Sequence, residues 1–107
     1  MPKKEQEIYK KALELWGEQF QIMMAIEEMA ELMQKLSQYY RQNRIVSQDD
    51  VLKEIADVEI LLNQLKLIFD DEDYQSFRFI KQEKLNKLIN YLENAKENNI
   101  QPSGQGY

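Results

Sequence analysis

The amino-acid sequence predicts an all-α protein. It reads as a single four-helix bundle-like domain over residues 1–98, completed by oligomerisation, with a flexible tail over 99–107. Three observations carry this. Apolar residues recur at steps of three and four through most of the chain. Of three Gly and two Pro, only Gly17 lies away from the ends, so little interrupts a helix. The β-branched alternation that marks strands is weak. A chain of 107 residues is one domain by default, and so small a helical domain covers its apolar faces better when it pairs with another chain.

The first predicted helix runs from Lys3 to about Leu15, with Ile8, Ala12, Leu15 and Trp16 as its apolar stripe. Gly17 marks a break, because Gly is a poor helix former. The second runs from Glu18 to Arg41, and its apolar arc centres on Ile22, Met29 and Met33. A polar connection follows over Gln42 to Gln48. Ser47 there is a good N-cap, and Asp49 and Asp50 suit the first turn of a new helix. The third helix runs from about Asp49 to Phe69. Asp70, Asp71, Glu72 and Asp73 form the next break, with carboxylates that favour the following helix N-terminus. The fourth spans about Tyr74 to Asn98 and carries Phe77, Ile80, Leu85, Leu88, Ile89 and Leu92.

Composition removes several classes of chemistry. The chain has no Cys, so it has neither disulfides nor thiolate metal sites. It has no His, which excludes His-based triads and disfavours zinc. Any metal must be held by oxygen, which points to Mg²⁺, Mn²⁺ or Ca²⁺. A net charge of −5 argues against nucleic acid as a partner, since that needs a basic face. It leaves a small anionic substrate open, because a bound cation reverses the local field. No apolar run reaches the length of a membrane span, and no apolar segment follows the basic N-terminus as in a signal peptide. These features predict a cytoplasmic protein with no membrane partner.

Two charged residues stand where charge is out of place. On a helical wheel of the third helix, with Val51 at zero, Leu61, Leu65 and Ile68 fall at about 280°, 320° and 260°. Glu54 falls at about 300°, between Leu61 and Leu65, and Asp57 at about 240°, beside Ile68. A helix apolar almost all round is central in its domain, so both carboxylates are expected on a buried face. Buried carboxylates are rare unless paired or bound to metal. Solvent on this face, or neutralising lysines, is the alternative. The second helix repeats the three-residue spacing with Glu28 and Glu31, while Glu27 lies on its polar side. Read alone, such a pair is a solvated face more often than a ligand pair. Two such pairs on consecutive antiparallel helices match a hard cation.

Glu27-Glu28-Met29-Ala30-Glu31, then 22 residues, then Glu54-Ile55-Ala56-Asp57, has the form EExxE…ExxD. With WGEQFQ ahead of it, and with AIEEMAELMQKL and EIADVEILLNQLKLIF around it, this resembles the MazG-like nucleoside triphosphate pyrophosphohydrolases. These belong to the all-α NTP pyrophosphatase superfamily. The resemblance covers roughly Trp16 to Leu92. It implies hydrolysis of a (deoxy)nucleoside triphosphate to the monophosphate and pyrophosphate, in a homodimer or homotetramer. It implies Mg²⁺, with Mn²⁺ as the alternative, on Glu28, Glu31, Glu54 and Asp57. Glu27 would orient a ligand or the water. An oriented water would attack the α-phosphorus with no covalent nucleophile, and nucleotide-pool cleansing would be the biological role.

Members of the family often carry cations on a similar last helix, where this chain has Lys84 and Lys87. Those two are phosphate ligands or solvated lysines with equal weight. Trp16 is read as stacking on a base, or as core or interface, and Gln21 as reading a base edge. Tyr39 and Tyr40 line a pocket or close a subunit interface. The methionines are packing. The contrasting class is a non-catalytic helical interaction protein whose acidic pairs are surface decoration.

Overall fold

The computed structural model describes residues 2–41, 45–70 and 74–98. The 99–107 tail, the centre of the Gln42–Gln48 connection and the acidic break over 71–73 lie outside the described residues. Among the described residues there are four α-helices and no strand: α1 (Lys3–Trp16), α2 (Glu18–Tyr40), α3 (Gln48–Phe69) and α4 (Gln75–Asn98). The protein is all-α, and its helices start and stop within a residue or so of the sequence expectation. None of them is long and apolar enough to cross a membrane.

The boundaries follow from local chemistry. Gly17 sits at φ 87°, ψ 161°, a conformation open in practice only to Gly, and its N–H closes α1 on Leu13 O at 2.8 Å. Ser47 caps α3 in a capping box. Asp50 N donates to Ser47 Oγ at 3.2 Å, and Ser47 N donates to Asp50 Oδ2 at 3.0 Å. At the other end of α3, Asp70 N donates to Lys66 O at 2.9 Å.

By internal contacts the chain divides into two units, Met1–Asp71 and Glu72–Tyr107. In the first, α2 and α3 form the main packing pair and α1 touches both more lightly. The pair is antiparallel. Glu28 meets Glu54 and Asp57, whereas Tyr39, later on α2, meets Gln48, earlier on α3. The second unit consists of α4, which Tyr74 enters at φ 66°.

The seam between α2 and α3 differs from the wheel reading. On α2 the buried residues are Gln21 and Ala25, and the half-buried run continues through Glu28, Leu32, Lys35 and Tyr39. The expected centre of the arc is displaced: Ile22 and Met29 are only half-buried, and Met33 is 69% exposed. Ala25, at 1% exposure, lets the two backbones approach, which suits a close seam better than the bulkier Met face does. On α1 the buried residue is Tyr9, with Ala12 and Leu13 half-buried. The expected stripe of Ile8, Leu15 and Trp16 is exposed. On α3 the buried residues are Glu54, Val58, Leu61 and Gln64, while Leu52, Ile55, Ile60 and Leu62 face outward. In this chain α3 is therefore buried along one stripe, not all round.

Candidate metal centre

Glu54 is 5% exposed, as its place between Leu61 and Leu65 predicts. It projects from the α3 stripe toward α2, where Glu28 projects from the opposite stripe. Asp57, three residues after Glu54, reaches the same point from the rim. One carboxylate oxygen each from Glu28, Glu54 and Asp57 lies within 4.8 Å of the others. The oxygen shell of a hard cation spans about 4.2 Å for Mg²⁺ and about 4.8 Å for Ca²⁺. The three groups thus lie close enough together to share one such cation.

Asp57 corrects one expectation. It is exposed rather than buried. The cluster therefore has a closed side, Glu54, and an open side, Asp57.

The electrostatics are those of a set of donors with too much negative charge. The Glu28 carboxyl is raised from 4.5 to about 7. A hydrogen bond with Glu54 is the largest cause, followed by desolvation and by the charges of Glu54 and Asp57. A hydrogen bond with Glu31 acts in the opposite direction. Oε2 of Glu28 and Oε1 of Glu54 are buried with no hydrogen-bond partner. Unpaired buried carboxylate oxygens are costly, and a cation satisfies both at once. The donor set fits an oxygen-preferring divalent metal.

The remaining expected residues are distributed as follows. Glu31 is exposed, one turn from Glu28 and in contact with it, but outside the three-oxygen cluster. Glu27 is exposed on α2. Gln21 is on the seam at 3% exposure, two turns before Glu28. Trp16 is 57% exposed, so it is not core, and its ring centroid lies 6.2 Å from that of Phe20 at 43°. Lys84 and Lys87 are exposed on α4, in the second unit. Tyr39 and Tyr40 do line a cleft, of about 440 Å³, with Leu36, Gln48, Val51 and Leu52. Gln48 Nε2 donates to Tyr39 Oη across it at 3.4 Å.

Sequence reasoning passed over two residues. Gln64 is 6% exposed on the α3 stripe, and its Oε1 has no partner. Lys35 is half-buried on the α2 seam, and its charge reaches Asp50. The Asp50 carboxyl is held below its usual value, chiefly by the Ser47 backbone and side chain, with Lys35 adding to the effect. Gln64, like Glu54, is a polar residue on an otherwise apolar stripe. No protein-family profile, no curated protein and no solved structure matches the chain.

Proposed function

We propose that the protein is a Mg²⁺-dependent nucleoside triphosphate pyrophosphohydrolase that converts (d)NTP to (d)NMP and pyrophosphate. The single observation that carries this reading is the convergence of Glu28, Glu54 and Asp57, with two buried oxygens left unpartnered. The EExxE…ExxD resemblance supplies the reaction, and the carboxylates supply the chemistry it needs.

Glu28, Glu54 and Asp57 hold the cation, and Glu31 completes the set from the exposed side of Glu28. When bound, the cation offsets triphosphate charge and acidifies water. Glu54, fixed in the closed side, positions the set, while the open side at Asp57 admits the triphosphate. Glu27, exposed on α2, orients a ligand or the attacking water. The working form is a homodimer or homotetramer, which covers apolar side chains such as Met33 and Tyr40 that a single chain leaves exposed. Mn²⁺ is the alternative cation, and the cytoplasm the proposed compartment.

The same exposed side chains favour a second reading, a non-catalytic helical interaction protein. That reading leaves the burial of Glu54 unexplained. A panel of nucleoside triphosphates with Mg²⁺, assayed separately for pyrophosphate and orthophosphate, decides between them. Pyrophosphate release supports the enzyme. Orthophosphate release, or no release with any base, rejects it.

A further inference from the structure

The seam between α2 and α3 carries a polar ladder. On α2, Gln21, Glu28 and Lys35 follow one another at intervals of seven residues. On α3, Gln64, Asp57 and Asp50 do the same in the opposite direction. Seven residues are two turns, so each set shares one azimuth and its members are about 10.5 Å apart along the axis. One rung is seen directly, and a second shows only in its electrostatics. Glu28 meets Asp57 in the carboxylate cluster, and Lys35 acts on Asp50. The register that makes these pairs sets Gln21 opposite Gln64. The three rungs are therefore amide with amide, carboxylate with carboxylate, and ammonium with carboxylate.

We propose that the ladder binds the nucleoside triphosphate lengthwise, with the Gln21–Gln64 rung taking the nucleoside. This rests on the pyrophosphohydrolase reading of the middle rung. The orientation follows from charge. Lys35 is the cation at one end and attracts the outer phosphates, so the uncharged nucleoside points to the amides. The outer rungs lie about 21 Å apart, long enough for an extended nucleotide.

Gln64 supplies the second observation. It is more than nine-tenths buried and its Oε1 accepts nothing. A carbonyl acceptor held dry is satisfied by a donor on the ligand. The ligand group is a hydrogen-bond donor of the nucleoside, either a base N–H or a sugar O–H. The exposed Trp16 and Phe20 rings, just before Gln21 in the chain, offer a stacking surface there.

The experiment is calorimetric titration with Mg²⁺ present, using three probes. They are the α,β-imido analogue of the deoxynucleotide hydrolysed fastest, the corresponding base-free deoxyribose analogue, and inorganic tripolyphosphate. Gln64→Met, nearly isosteric but without the acceptor, is expected to weaken the nucleotide analogue about tenfold. Tripolyphosphate binding is expected to be unchanged. Loss confined to the full nucleotide assigns the donor to the base, and equal loss with the base-free analogue assigns it to the sugar.

The melting temperature separates this from a structural role. Removing an acceptor that has no partner leaves it unchanged or raises it, whereas removing a structural hydrogen bond lowers it. Equal weakening of all three probes, or a lower melting temperature with nucleotide affinity intact, overturns the proposal. Gln21→Met, on the facing rung, is expected to give the same selective loss, and it keeps the test open if the first variant does not fold. If the unaltered protein binds tripolyphosphate but no nucleotide more tightly, the ladder reading falls while the metal site stands. If it binds neither, the pyrophosphohydrolase reading falls first.

Discussion

Glu28 on α2 and Glu54 on α3 bring their carboxyls together across the helix pair, each with a buried oxygen that no donor reaches. Glu28 consequently holds its proton up to about 7. The folded chain binds that proton more tightly than the unfolded chain does. The associated stability is complete below 4.5 and is lost as pH rises through about 7. Without metal, the melting temperature is expected to fall between about pH 5 and about pH 8. Mg²⁺ competes with the same proton, so its stabilising effect is expected to be larger at pH 8 than at about pH 5.5. Thermal scans in chelator and in Mg²⁺ check both, and a metal effect independent of pH would contradict a shared site.

Glu54→Gln keeps the shape of the side chain and removes one charge from the cluster. The metal-free variant is expected to melt higher than the parent, because repulsion with Glu28 and Asp57 is relieved. Pyrophosphate release is expected to drop by more than the about tenfold to hundredfold typical of losing an outer partner of a metal site. A variant with full turnover would remove Glu54 from the site.

Gly17→Ala tests the break between α1 and α2. A Cβ at Gly17 meets nothing within 4 Å, so the cost is backbone strain alone. At φ 87°, ψ 161° that cost is about 1–3 kcal/mol. Urea unfolding measures it. A loss well under 1 kcal/mol would show that α1 reorients to relieve the strain.

Ser47→Ala removes the reciprocal cap of α3 and is expected to destabilise by about 1 kcal/mol. Asp50 titrates below 3.8, chiefly through its bonds to Ser47. Its contribution is present above 3.8 and lost as pH falls through the lowered value. In the variant the Asp50 carboxyl is expected to move back toward 3.8, as followed by NMR titration. No movement would mean that the Ser47 backbone N–H, which the variant keeps, holds it down without the hydroxyl.

The helices were legible because their signals are local. Gly17 leaves the helical region for steric reasons within one residue, and Ser47 caps with an atom three residues away. Glu54 was legible too, since a carboxylate between Leu61 and Leu65 is misplaced whatever packs against it. Asp57 was only half legible: the wheel placed it next to Glu54 but not at the rim. The face of α2 was misread. Met29 and Met33 dominate a hydrophobicity average, yet Ala25 and Gln21 occupy the interface.

Helix ends, the break at Gly17 and the anomaly of Glu54 thus depend on interactions a few residues long, and the chain alone specifies them. The rotation of α2 against α3 depends on how two surfaces interdigitate, where a small residue such as Ala25 counts for more than a large apolar one. Packing therefore settled that Glu28 rather than Glu31 faces Glu54. The same rotation brings the charge of Lys35 to bear on Asp50, and in the proposed ladder it sets Gln21 toward Gln64, because residues seven apart keep one azimuth only relative to the partner they meet.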